Sequence, residues 1–235
     1  MKKIKYLLLS LTFAFGTNLK AFAELTNSIS KEKEKEIFSE KVKKTLGIKF
    51  NIFETYNFKD KTGSYYVVLT EDSIKSNNKT HINSKIKAFC FSLKNNQLKE
   101  VWNINDFVIK NKVNTEIENN ILFLPKYGEI KDLDNDGINE IILVYGTTSS
   151  NNFMDGRIKI LTFYKNQISA IRHQNGVLDH ERETEVEKTF YKLPNKIQEK
   201  VKDIMLNLTK NDKAIFPAGW EKAMKDKKLN FNERH

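Results

Sequence analysis

Hydrophobic positions change rhythm along this chain, and each rhythm predicts a different element. Tyr6 to Gly16 form an apolar core behind Lys2, Lys3 and Lys5, and Ala21-Phe22-Ala23 follows as a small-x-small site. That order reads as a cleavable export signal over residues 1–23. The run is about half of the ~20 residues a spanning helix needs and no second run follows, so no membrane anchor is expected. From Ser30 to Leu46 the pattern turns helical, with strong helix formers, no Gly or Pro, and apolar Phe38, Val42 and Leu46 on one side. Ser30 is placed to cap the start of this helix and Gly47 to end it in the left-handed conformation.

From Ile48 the texture becomes β: short apolar or alternating runs cut by Asn, Lys, Asp and Gly. Strands are expected over Ile48–Phe58, Ser64–Thr70, Ile86–Leu93, Leu98–Trp102, Ile121–Leu124, Ile138–Tyr145, Ile158–Tyr164 and Ile168–Arg172. The pieces Lys94-Asn95-Asn96-Gln97 and Lys165-Asn166-Gln167 read as hairpin turns. They align two stretches with the same order: loop with Gly, apolar strand, polar loop, strand, Asn-containing turn, strand. One runs from Asp60-Lys61-Thr62-Gly63 to Trp102, the other from Asp134-Asn135-Asp136-Gly137 to Arg172. Two copies are too few for a propeller, which takes at least about four blades. Beyond Leu193-Pro194 the rhythm is helical again, through Ile197, Val201, Ile204, Met205 and Leu208.

These patterns predict an α+β fold in which two antiparallel β-meander repeats form a sheet or sandwich, with the N-terminal helix and C-terminal helices packed on it. After the signal, residues 24–235 are expected to form one domain: an N-terminal helix over 24–47, a degenerate β repeat over 48–110, a second β repeat carrying the acidic loop over 111–192, and a helical segment over 193–235.

Composition narrows the class. Hydrophobic residues make up 39% and charged residues 30% of the 235, too apolar for a disordered chain and free of low-complexity bias. A single cysteine excludes an intramolecular disulfide framework. Cys90, within Ala88-Phe89-Cys90-Phe91, reads as a buried thiol. It does not follow the apolar run of the signal, so no lipid-anchored lipoprotein is expected and the protein is placed in the periplasm or outside the cell. The formal charge is +10, and it falls to +6 when the signal leaves with four lysines (2, 3, 5 and 20) and no acid. The remaining lysines are scattered, which is the mark of a solvated surface and not of a nucleic-acid-binding patch.

One stretch carries specific chemistry. Asp132-Leu133-Asp134-Asn135-Asp136-Gly137-Ile138-Asn139-Glu140 sets carboxylates at alternate positions before a Gly, with another acid three residues after it. Calcium takes six to eight oxygens, so several carboxylates must converge, and the Gly supplies the sharp turn that makes them do so. Asp132, Asp134 and Asp136 are the expected side-chain ligands, Ile138 the carbonyl ligand and Glu140 the last acid. The twelfth position of a helix-loop-helix site would be Leu143, in an apolar run that reads as a strand, so this is a loop-then-strand arrangement. In the first repeat only Asp60 remains of the acids, so no metal is expected there.

The other candidates are weaker. Glu181, Glu183, Glu185 and Glu187 alternate within DHERETEVEK and read as a solvated strand edge. His81, His173, His180 and His235 have no metal-ligand spacing, and no nucleophile-base, phosphate-loop or dinucleotide motif occurs, so no catalytic residue is assigned. Phe216 and Trp220, in Ile215-Phe216-Pro217-Ala218-Gly219-Trp220, are the candidate ligand-binding aromatics; the blander role for such a cluster is to dock a terminal segment.

The acidic loop KDLDNDGINEIILVY and the tail LPNKIQEKVKDIMLNLTKNDKAIFPAGWEKAMKDKK together resemble a family of small secreted proteins of Bacteroidetes-type bacteria, known as surface polysaccharide biosynthesis proteins. The loop is also similar to the loop-then-strand calcium sites of integrin-type β repeats. The first resemblance extends from about Gly128 to Lys228 and implies a role in making or displaying cell-surface glycan, with surface polysaccharide or its assembly machinery as partner. The expectation is an exported, non-catalytic, calcium-stabilised protein. The alternative is a secreted hydrolase or lyase acting on acidic polysaccharide, which requires a cleft uniting the metal loop with Glu181 or Glu183.

Overall fold

The computed structural model describes Leu25 and residues 28–75, 81–109 and 118–233. The export signal expected over residues 1–23 lies outside the described residues. Two short helices, α1 (Lys31–Ile37) and α2 (Glu40–Thr45), open the chain. Strands β1 (Asn51–Asp60), β2 (Gly63–Glu71), β3 (Ile74–Lys75), β4 (His81–Ile82), β5 (Lys85–Lys94) and β6 (Gln97–Phe107) follow. Next come β7 (Asn120–Phe123), β8 (Glu129–Lys131), β9 (Glu140–Thr148), β10 (Arg157–Tyr164), β11 (Gln167–Gln174) and β12 (Glu183–Val186). Helices α3 (Asn195–Lys210) and α4 (Trp220–Lys225) and the last strand, β13 (Asn230–Asn232), close it.

The expected α+β class holds. The strands make two antiparallel sheets, β1-β2-β5-β6 and a seven-stranded sheet ordered β13-β12-β11-β10-β9-β7, with β8 also paired to β9. β3 and β4 form a small separate ribbon. Side chains alternate across each strand, so a strand buried on both faces must be apolar at every position. β2 and β5 send Val67, Leu69, Ile86, Ala88 and Cys90 to one side, where they meet Ile141, Leu143, Leu161 and Phe163 of the second sheet. From the opposite face, Val68, Phe89 and Phe91 pack on Phe38 and Ile48 beside the N-terminal helices. Ile142, Val144, Ile158 and Ile160 likewise turn away from the first sheet, onto Ile197, Val201, Ile204, Met205 and Leu208 of α3. The result is four layers: helices, sheet, sheet, helices.

The two stretches aligned in the sequence take equivalent places. β2-β5-β6 and β9-β10-β11 are each three neighbouring antiparallel strands, and each ends in a two-residue hairpin turn with both residues at positive φ. These are Asn95 (51°) and Asn96 (59°) in the first and Lys165 (46°) and Asn166 (63°) in the second. Such type I′ turns match the right-handed twist of the strands they join.

Three elements differ from expectation. The N-terminal helix is broken at Phe38, whose ψ of 54° leaves the helical region, and Ser39 then restarts it in extended conformation. The break buries Phe38 between Tyr66 and Phe91, with ring centroids 5.8 and 6.0 Å away, and that packing outweighs the helix propensity of the segment. The acidic stretch is not an edge: β12 pairs with β11 on one side and with β13 on the other. β13 itself is a strand inside the segment expected to be helical; Phe231, buried at 9% exposure, anchors it. Among the described residues, no helix is long and apolar enough to cross a membrane.

Candidate metal centre

The loop between β8 and β9 is held by its own carboxylates. Asp132 accepts hydrogen bonds from the Asp136 N–H (3.0 Å) and the Gly137 N–H (2.8 Å). Asp134 accepts from the Asp136 N–H (3.1 Å) and Asp136 from the Ile138 N–H (2.9 Å), the short-range bonding typical of Asp in turns. Asn135 at φ 67° and Gly137 at φ 84° provide the left-handed steps that fold the chain back on itself.

That winding brings one carboxylate oxygen from each of Asp132, Asp134 and Asp136 within 4.8 Å of the others. A cation with metal-oxygen distances of about 2.3 to 2.6 Å fits such a spacing. The donors are all oxygens, so the cluster suits a hard cation and offers nothing to a thiophilic one. This group could hold a metal ion.

Glu140, at the start of β9, is not in that trio. It is 1% exposed, and it accepts a hydrogen bond from the Leu133 N–H (2.8 Å). Burial is the largest influence on its carboxyl; the Leu133 bond opposes it, and the charges of Asp134, Asp136 and Asp132 add to it, pushing the group up to about 7. Glu140 therefore feels the charge of the three aspartates, a repulsion that a cation among them relieves. Ile138, the expected carbonyl ligand, follows Gly137 directly, and its side chain lines a cavity beside the loop.

Sequence reasoning misses the partners that come from elsewhere in the chain. The Lys165 ammonium, in the β10-β11 turn, lies 2.7 Å from Asp136. That hydrogen bond first, and the Ile138 N–H second, hold Asp136 below the usual carboxylate range. Lys61, in the β1-β2 turn, donates its ammonium to the Asp136 carbonyl and its backbone N–H to the Gly137 carbonyl (3.0 Å). Asp60, the one acid retained in the first repeat, holds its own turn by accepting from Thr62 N–H (2.7 Å) and Gly63 N–H (3.2 Å). Its second oxygen accepts from the Asn139 N–H (3.2 Å). The degenerate loop thus buttresses the intact one. The only sequence signal for this is the alignment of the two loops in the repeat.

The remaining candidates lie apart from the loop. Phe216 and Trp220 are each 7% exposed in the core between the second sheet and its helices. Phe216 packs 4.5 Å from His173 and 5.7 Å from Trp220. Their rings dock the C-terminal segment onto that core. Glu183 pairs with Gln174, at the end of β11 remote from the Lys165-Asn166 turn. At ~3.3 Å per residue, the seven steps from Gln167 to Gln174 put Glu183 on the order of 20 Å from the acidic loop. Glu185 and Glu187 instead engage Arg172, at 3.3 and 2.6 Å.

No family model matches the chain, and comparison with curated proteins and with solved structures gives no match either.

Proposed function

We infer that the chain is an exported, non-catalytic protein that takes calcium in its acidic loop and supports the making or display of surface polysaccharide, by binding glycan or an assembly partner. The observation that carries this reading is the convergence of Asp132, Asp134 and Asp136 within 4.8 Å. Donors that are all oxygen, with no nitrogen or sulfur ligand, favour calcium over zinc. Bound calcium would share the Asp136 carboxylate with Lys165 and draw Glu140 into its ionised form. Because Asp60 and Lys61 of the first repeat bond to this loop, an ordered loop also ties the two repeats together. The surface-glycan role is supported by the resemblance of Gly128 to Lys228. A hydrolase using Glu183 is not supported, since Glu183 stands on the order of 20 Å from the loop.

Thermal unfolding with EDTA and with 10 mM calcium tests the metal. A site of extracellular type, with Kd of about 10⁻⁴ to 10⁻³ M, stabilises the protein by about 1 to 3 kcal/mol at that concentration. The Asp134→Ala/Asp136→Ala variant should lose the gain entirely; equal stability with and without calcium in the parent protein would refute the site. Deletion of the gene in the host strain tests the role, which requires an altered amount or composition of surface polysaccharide.

A further inference from the structure

Beside the acidic loop the two sheets part, and the space between them is left unfilled as a cavity of about 380 Å³, half open to solvent. Volumes of about 300 to 1,000 Å³ are those of small-molecule sites. Its walls are aromatic. Phe58 and Tyr65 stack at 5.0 Å from the first sheet, and Trp102 stacks on Phe163 of the second sheet at 3.9 Å.

A backbone irregularity puts Trp102 there. Strand β6 carries an extra residue at Val101, because Cys90 pairs with Trp102 while Phe91 already pairs with Glu100. Leu98 faces the N-terminal helices, and strict alternation would turn Trp102 the same way. The bulge reverses the face, so the indole turns toward the other sheet. Bulges are used to re-aim side chains in this manner next to functional sites.

The rim is polar, yet its charges are already engaged. Asp60 spends both carboxylate oxygens on backbone N–H groups, and Lys165 is paired with Asp136. Asn139, Asn166 and Gln167 also line the cavity, and no hydrogen bond among the described residues engages their side-chain amides. A carboxamide offers a donor pair and an acceptor together, which suits hydroxyl groups, themselves both donors and acceptors. A wholly apolar ligand would make no use of these amides. An anion would find no uncompensated positive charge.

We propose that this cavity binds a neutral sugar ring, its C–H face against the Trp102 and Tyr65 walls and its hydroxyls on the amides of Asn139, Asn166 and Gln167. The proposal names a ligand site for the glycan reading above and rests on that reading for the biological source of the sugar.

The test uses the chain's two tryptophans. Trp220 is buried in the helical layer, so a Trp220→Phe background leaves Trp102 as the reporter. Methyl glucoside, methyl galactoside, methyl mannoside and glucuronate are titrated to about 10 mM, which saturates a site with Kd near 1 mM. At least one neutral glycoside should shift or quench Trp102 emission, and Asn139→Ala and Asn166→Gly, the second keeping the left-handed step that the turn needs at φ 63°, should weaken that response tenfold or more. Silence toward every neutral glycoside, a response to glucuronate alone, or full binding by both Asn variants overturns the cavity. Saturation-transfer NMR on the protein with its tryptophans intact repeats the measurement should Trp220→Phe fail to fold. If the host polysaccharide binds while Trp102 stays silent, the cavity falls and the glycan reading stands. If a sugar binds here while the deletion strain keeps an unchanged surface, the reading falls and the cavity stands.

Discussion

The imidazole of His173 is enclosed at 2% exposure between the Thr184 hydroxyl (2.9 Å) and the Asn175 carboxamide (2.8 Å). Asn175 in turn accepts from the Ile215 N–H (2.7 Å) and donates to the Phe153 and Lys213 carbonyls (2.7 and 3.0 Å), pinning the C-terminal segment to the sheet. Burial is the first cause that pushes His173 down to about 4. An unfolded histidine takes its proton near 6.5, so between pH 6.5 and 4 the unfolded chain binds a proton that the folded one refuses. Stability should therefore fall on acidification through that window, by about 2 kcal/mol between pH 7 and pH 5, and the loss should be much smaller in His173→Gln; urea unfolding at pH 7 and pH 5 measures both. Cys90 is the opposite kind of buried group: burial pushes its thiol up to about 12, which leaves it protonated and unreactive at neutral pH.

Elements set what a sequence can reveal. Largely apolar strands such as Ile86–Leu93 and Ile158–Tyr164 were readable because most positions on both faces are buried, and α3 was readable because Ile197 to Leu208 keep one helical stripe. The acidic loop was readable because its spacing is local. Features that rest on distant partners were not. Phe38 breaks its helix to reach Tyr66 and Phe91, and nothing near Phe38 announces it. Bulges in β1 near Phe53 and in β6 at Val101 invert the alternation, so Tyr56 and Trp102 face the sandwich although strict periodicity from Ile52 and Leu98 turns them outward. Phe38→Ala should cost about 3 to 5 kcal/mol in a denaturant titration, the range for an aromatic deleted from a packed core. A cost under about 1 kcal/mol would mean that the break serves some other contact.

At the scale of the whole molecule, the space between the sheets has two unlike ends. Away from the acidic loop it is closed by charge: Arg157 reaches Glu118 (2.5 Å) and Lys159 reaches Asp106 (2.6 Å), with Glu118 at 1% and Asp106 at 7% exposure. Removing Glu118 leaves Arg157 the Asp106 carboxylate (3.6 Å) and the Phe107 carbonyl (2.8 Å) but takes the acceptor from the Ile109 N–H (2.6 Å), so Glu118→Ala should destabilise by about 1 to 3 kcal/mol in the same titration. At the other end, the loop is backed by Asp60 across 79 residues of chain, and that separation bears on the order of assembly. Contacts between such distant segments close late, since loop-closure entropy is lost before they repay it. A cation seated in the completed loop would then strengthen bonds that form after the rate-limiting step. Calcium should accordingly lengthen the lifetime of the native state in unfolding stopped-flow traces while leaving the refolding rate nearly unchanged. The ion would act as a latch on a finished structure and not as a seed for its formation.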